Sequence, residues 1–325
     1  MRRRQMLIGG IPLLIVGCGP SESDRGYVLL LNNTLPNQTL AQVNRQGGIP
    51  LRPRFLASRQ ALWNRVKGGS QASLALVGGD WWDPEFVQPV PESWLEAGWW
   101  REMDPRWQQV VTEAGQVWGI PWRWGTTAIG YRRDRVPFRI ETWEDLWRPE
   151  LRGRLTLPDH PQEVIDLVMR VLQTEDLQHP DLLDRLRALH EQVLLYTSQD
   201  YLPMLRIGDA WAAVGWSEDL WQAQRVDGRI EVVIVPSLIW WDAWMIPKTS
   251  GGDPKELTGW LEELHHPQVL ARAVQTSRIN AVMPGMPSAP WLIPESVAAA
   301  STLSQRLSPD LRQAYWDLWQ QVRLS

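Results

Sequence analysis

Tyr27-Val28-Leu29-Leu30-Leu31-Asn32 and Ser73-Leu74-Ala75-Leu76-Val77 are short apolar runs of strand length, and what lies between them decides the fold. Thr39 to Asn44 and Ser58 to Val66 carry apolar residues at helical spacing, with an extended piece, Leu51 to Phe55, between the two. Gly68-Gly69 closes the second helical stretch, and Gly78-Gly79 breaks the second strand. Alternation of strand and helix indicates an α/β sheet, in which ligand groups gather at the carboxyl ends of strands.

Towards the C-terminus the alternation continues. Pro84 to Pro105 is dense in proline and tryptophan and resists assignment; Trp118 to Pro121 and Gly125 to Tyr131 are extended. Thr142 caps a short helix with Glu144 and Asp145 in its first turn. Leu155 to Leu157, Asp209 to Val214, Ile230 to Val235 and Leu238 to Ile246 are predicted strands. Helical spacing covers Gln162–Leu172, Pro180–Val193, Pro203–Ile207, Pro254–Leu264, Pro267–Thr276, Pro294–Gln305 and Pro309–Gln321, the last with Ser308 as cap.

Towards the N-terminus, Met1-Arg2-Arg3-Arg4 precedes a mostly apolar run from Met6 to Val16 and then Ile15-Val16-Gly17-Cys18. A positive start, a short apolar run and a small residue before the cut mark a secretory signal. The run is too short to span a bilayer, which takes about 20 apolar residues. The tetrapeptide resembles the lipobox of bacterial lipoproteins, whose cysteine is acylated and becomes the new N-terminus. That resemblance implies a signal peptide over 1–17, lipidation at Cys18 and a polar tether over 18–25. The expected location is periplasmic, anchored to the membrane by lipid; a plain positive signal and a twin-arginine signal both remain open readings of Arg2-Arg3-Arg4.

Losing residues 1–17 removes three arginines and moves the formal charge from −4 to −7. An acidic chain argues against nucleic acid and is compatible with a cationic ligand. Cys18 is the sole cysteine, so no internal disulfide forms, and stability must come from burial. The remaining length, roughly 300 residues, suffices for two cores. Composition is skewed to 22 tryptophans against five tyrosines and three phenylalanines, and almost all positive charge is arginine. Core packing and stacking under arginine are the ordinary uses of such rings.

Three segments resemble periplasmic spermidine/putrescine-binding proteins: Ile120-Pro121-Trp122-Arg123-Trp124-Gly125-Thr126-Thr127-Ala128-Ile129-Gly130, Thr142-Trp143-Glu144-Asp145-Leu146-Trp147-Arg148-Pro149-Glu150-Leu151-Arg152-Gly153, and Trp240-Trp241-Asp242-Ala243-Trp244-Met245-Ile246-Pro247. They stand in the same order and at similar gaps within a likeness running from Tyr27 to Met283. The resemblance implies a two-lobed α/β periplasmic binding protein with a hinge and an interlobe cleft. It would act as a monomer that delivers a small cationic solute, putrescine or spermidine, to an ABC-type permease, without catalysis or cofactor. The expected lobes are 26–128 plus 243–282 and 129–242 plus 283–325.

A polyamine site needs carboxylates for the ammonium groups and aromatic faces for the methylenes, each cation–aromatic contact contributing about 0.5–2 kcal/mol. Asp242 is a lone acid in an apolar strand, costly there unless paired. The family places an ammonium-binding aspartate at this position, while an internal arginine is the alternative partner. Trp240, two residues earlier, shares its face of the strand and matches a ligand-packing tryptophan; Trp241 and Trp244 are read as core. Glu163, in the first turn of its helix, matches a ligand glutamate, although first-turn acids also serve the helix dipole. Trp216, at a strand end before Ser217-Glu218-Asp219, matches a binding tryptophan. Trp81 follows the strand Ser73–Val77 where the family has an aromatic, with Asp80 readable as a helix cap. The family's tryptophan after the first strand is Asn33 here, with Thr34 fitting beside it. A second helix-side acid falls on His160, with Asp159 one residue away.

Motifs for hydrolases, phosphate loops and zinc peptidases are missing from the sequence. Two other readings stay open. One is the same fold with an amino-acid derivative, sugar or anion as solute, which an arginine aimed into the cleft beside Asp242 would favour. The other is an exported lipoprotein scaffold with a degenerate cleft.

Overall fold

The computed structural model describes residues 26–31 and 34–324. The signal segment, Cys18, the whole of the tether over 18–25, Asn32 and Asn33 lie outside the described residues. β1 (Tyr27–Leu31), β2 (Arg52–Leu56) and β3 (Leu74–Gly78) form within a residue or two of their predicted bounds and pair in parallel, with β1 in the middle. The helix Arg59–Lys67 lies between β2 and β3 in sequence, and Ser58 caps it, its hydroxyl accepting the Ala61 N–H at 3.1 Å. The unassigned stretch after β3 resolves into β4 (Val87–Gln88) and three short helices, Glu92–Leu95, Gly98–Glu102 and Pro105–Val110. Each helix buries one tryptophan: Trp94, Trp100 and Trp107. A two-residue hairpin pairing, β5 (Thr112–Glu113) with β6 (Gln116–Val117), leads into the long strand β7 (Ile120–Arg132).

The remaining strands are β8 (Leu155–Leu157), β9 (Val193–Tyr196), β10 (Ala212–Trp216), β11 (Ile230–Val233), β12 (Leu238–Pro247), β13 (Asn280–Ala281) and β14 (Thr302–Leu303). The main path through the sheet is β2-β1-β3-β12-β7-β10-β8-β9. β7 runs for 13 residues and is buried throughout. Its first half, Ile120 to Thr126, pairs antiparallel with β12, and its second half, Thr127 to Arg132, pairs with β10 and β11. The β12 ladder changes register between Asp242 and Ala243: Asp242 faces Arg123 while Ala243 faces Pro121, leaving Trp122 as the extra residue of a bulge.

Two principal cores flank this crossing. The first holds Val28, Leu30, Leu76 and a tryptophan cluster in which Trp244 lies 5.8 Å from Trp122 and 5.2 Å from Trp260 between ring centroids. The second holds Leu146, Leu155, Ile165, Leu182 and Val214, closed by Tyr315, Trp319 and Val322 of the helix Pro309–Arg323. Met283, Ile293 and Ala298 pack with the first core. Other tryptophans lie under guanidinium groups, as with Arg185 over Trp147 at 4.3 Å and Arg278 over Trp291 at 4.1 Å.

Two elements differ from expectation. The helix predicted to reach Val193 ends at His190, because Val193–Tyr196 pairs in parallel with β8 as an edge strand. The helix predicted over Pro294–Gln305 covers only Glu295–Ala299; beyond it Thr302 and Ser304 donate backbone N–H groups to Ser237 and Ile239, at 3.0 and 2.8 Å. In both places sheet pairing overrides helical spacing. Among the described residues no helix is long and apolar enough to cross a membrane.

Candidate functional site

Cross-strand register builds the centre of the site. Asp242 on β12 stands opposite Arg123 on β7, and Trp240 stands opposite Gly125. Both pairs share one face of the sheet. Arg123 donates to Asp242 Oδ2 from Nε at 2.7 Å and also from its terminal nitrogen at 2.6 Å. The internal arginine is therefore real, and Asp242 is paired, as its burial requires. Gly125 leaves the space that the Trp240 ring fills, since a Cβ there would stand 2.1 Å from Trp240 Cζ2. Trp241, on the opposite face, and Trp244, farther along the strand, are core, as expected, with the Trp241 indole donating to Ser304 O at 2.9 Å.

Two turns bring further groups to this face. The turn after β3 supplies Asp80 and Trp81, and the start of the helix Pro161–Val171 supplies His160 and Glu163. His160 Nε2 lies 3.5 Å from Asp80 Oδ2, and its ring lies 6.2 Å from that of Trp81. Trp216, at the end of β10, opens the helix Ser217–Val226, whose first turn places Glu218 and Asp219 inward. Glu218 Oε1 lies 3.7 Å from Arg123, and Asp219 accepts the Tyr201 hydroxyl at 2.8 Å. A second guanidinium, Arg59, enters from the first turn of its helix. It lies 4.6 Å from the Trp216 ring and 5.9 Å from the Trp240 ring.

Of the sequence-predicted residues, Asp242, Trp240, Glu163, Trp216 and Trp81 converge here. Thr34 is buried, donates its hydroxyl to Leu31 O at 2.8 Å, and lines the adjoining pocket. Asp159 lies apart: its carboxylate is exposed and 3.4 Å from Arg323, and His160 occupies the inward position instead. Arg59, Arg123, Glu218 and Asp219 were not singled out. First-turn acids and cap-adjacent arginines look alike in sequence whether they face solvent or a cleft.

A pocket of about 650 Å³ opens beside this cluster, lined among others by Thr34, Arg123, Trp216, Glu218 and Asp219. Asp80, Glu163, Glu218, Asp219 and Asp242 outnumber Arg59 and Arg123, so the cluster is net acidic when ionised. Burial, with the Asp219 charge beside it, pushes the Glu218 carboxyl up to about 8. Burial also raises Asp219 and Glu163. Burial would lower the Arg59 guanidinium, but Asp242, Asp80, Glu163 and Glu218 more than offset it, so Arg59 stays charged. Glu163 Oε2 and Glu218 Oε2 are buried without a hydrogen-bond partner. No group of three or more metal-ligating side chains forms among the described residues.

Residues 83–290 match the family of bacterial extracellular solute-binding proteins. The spermidine/putrescine-binding periplasmic protein of Escherichia coli K12 is 24% identical over 264 residues, covering 76% of this chain and 75% of that protein. The putrescine-binding periplasmic protein of the same organism is 24% identical over 245 residues, covering 68% of this chain and 65% of that one. In fold, the chain is similar to the Tp0655 lipoprotein of Treponema pallidum, with a TM-score of 0.78 at 18% identity over 93% of this chain and 100% of the other. A spermidine/putrescine substrate-binding protein from Streptococcus pneumoniae gives 0.77 at 18% identity, over 92% and 98%. A match over most of the chain's length, on a mixed α/β scaffold with an acidic, tryptophan-lined site where its strands cross, makes this chain a member of the bacterial extracellular solute-binding protein family, whose members bind solutes rather than transform them.

Proposed function

We propose that the chain is the solute-binding component of an ABC transporter and takes a short aliphatic diamine, putrescine in size, in the cleft beside β7 and β12. The observation that carries this reading is the pair of buried carboxylate oxygens without partners, Glu163 Oε2 and Glu218 Oε2, in a cluster where acids exceed arginines. Once ionised, a carboxylate oxygen can only accept, so a donor with positive charge that favours the ionised form completes both, each such bond contributing about 1.5–3 kcal/mol. Trp240, Trp216 and Trp81 supply faces for ammonium and methylene groups. Asp242, Glu163, Trp240, Trp216, Trp81 and Thr34 are the proposed ligand contacts, with Asp159 outside them. The relatives named for spermidine and putrescine support the same solute class.

The proposed lobes, 26–128 plus 243 to about 300 and 129–242 plus the remainder to 325, would close over the solute and present it to the permease. Cys18 would carry the lipid that holds the protein to the membrane.

Calorimetric titration of the full chain in mild detergent with putrescine, spermidine, amino acids and inorganic anions tests the reading. Putrescine is expected to bind tighter than millimolar, and Glu163→Gln to weaken it about tenfold, the loss of one charge-assisted hydrogen bond. Failure of every polyamine to bind, or indifference to both Glu163→Gln and Asp242→Asn, sinks it. One observation favours a second reading: Arg123 and Arg59 both stand beside Asp242, as an anionic or zwitterionic solute would require. Uptake of an amino acid or anion in the same titration, with no response to putrescine, would select it.

A further inference from the structure

The two arginines of the cluster are held very differently. Arg123 is fixed by short bonds to Asp242, at 2.6 and 2.7 Å. Among the described residues Arg59 makes no such bond. Its terminal nitrogens lie 3.8 Å from Asp80 Oδ1 and 4.0 Å from Asp242 Oδ1, beyond hydrogen-bond reach, and its Nε is buried without a partner. What surrounds it is charge and π-density, with Trp216 and Trp240 as faces and Asp80, Asp242, Glu163 and Glu218 as anions. Its side chain is only 12% exposed. A mostly buried cation with one orphaned donor and no short bond to any of the surrounding acids sits in a cage suited to cations in general rather than to itself.

We propose that Arg59 is a tethered competitor: its guanidinium occupies the cation cage between Trp216 and Trp240, and a ligand's ammonium binds by displacing it. This rests on the cation-binding reading of the cleft. The exchange replaces one positive charge by another, so the carboxylates are never left bare and buried during loading. A primary ammonium is more compact than a guanidinium and can approach one carboxylate to true hydrogen-bond distance, which the planar fork does not do here. Arg59 stands at the first turn of its helix, next to the Ser58 cap, so its long side chain can swing outward without unwinding the helix. Its presence lowers apparent affinity by the fraction of time the cage is occupied. It also sets a threshold: only a cation that binds the cage better than a covalently attached guanidinium is taken up.

Replacing Arg59 separates these effects. Arg59→Met keeps the aliphatic stem and removes the charge, and the full chain carrying it is expected to bind putrescine at least tenfold tighter than wild type. Arg59→Ala leaves a hole of guanidinium shape, and millimolar methylguanidinium is expected to bind there and change tryptophan fluorescence, with no such response from wild type. Near-UV circular dichroism checks each fold, and Arg59→Gln replaces Arg59→Met if that variant is unfolded. Equal or weaker putrescine binding in the charge-free variant overturns the competitor while leaving the diamine reading intact. Methylguanidinium binding to Arg59→Ala without putrescine binding to any variant keeps the competitor and removes the diamine. Binding of neither probe by any variant overturns both.

Discussion

Glu218 is the residue whose chemistry has the clearest consequence in solution. Its carboxyl titrates near 8 because burial and Asp219 disfavour its charge. A carboxyl whose folded value lies above its unfolded one destabilises the fold as it ionises; the cost is absent below the ordinary value of 4.5 and complete above about 8. Glu218→Gln is therefore expected to melt higher than wild type at about pH 9 and to match it at about pH 4. Equal melting temperatures at the higher pH would contradict the shift. A bound cation favours the charged form, so putrescine binding near neutral pH is expected to release a proton. Calorimetry in buffers of different ionisation enthalpy reads that release as a buffer-dependent heat, and a buffer-independent heat would rule it out. Asp242 was legible in the sequence because a lone acid in an apolar strand has to be paired with something. Pairing with an internal arginine was open as an alternative, and the register of β7 against β12 makes Arg123 that partner. Glu218 was not legible, because a first-turn acid serves a helix dipole equally well in water.

At the scale of elements, β7 and β12 were recognisable as extended, and their alternation placed Trp240 with Asp242 on one face and Trp241 on the other. Sequence could not show that β7 would run unbroken for 13 residues, serving β12 with one half and β10 and β11 with the other. Partner choice along a strand depends on residues a hundred positions away. The same non-local pairing ended the helix predicted over Pro180–Val193 at His190 and made Val193–Tyr196 a strand. Gly125 is where this crossing is tightest, because the Trp240 ring lies over its Cα. Gly125→Ala would force Trp240 or the strand to move, at about 1–3 kcal/mol of stability. Urea unfolding measures that loss, and putrescine affinity is expected to fall with it as Trp240 leaves its position. An unchanged unfolding midpoint would mean that the ring can yield freely.

For the whole molecule, two cores joined by a shared pair of long strands are what the proposed closure requires, since neither core would have to be rebuilt. Met283, Ile293 and Ala298 pack with the first core, so we place the final return to the second lobe beyond residue 300 instead of at 283. Helical spacing in Pro294–Gln305 could not reveal which core the segment joins. The proposed tether acts at this scale too. Cys18→Ser is expected to move the protein from the membrane pellet to the soluble fraction of gently lysed cells, leaving putrescine binding unchanged; retention in the pellet would exclude the lipid anchor. Linkage to the membrane would keep the binding protein close to its permease, so modest intrinsic affinity suffices.

If the lobes close as proposed, the bulge at Trp122 is where we place the fulcrum. It is where the β7–β12 ladder slips by one residue, and bulges locally strengthen strand twist. Asp242, the acid held by Arg123 and faced by Arg59, sits directly on it. In that proposal, a cation arriving at the carboxylate would act at the pivot itself, with a short lever between solute chemistry and the torsion of the two strands.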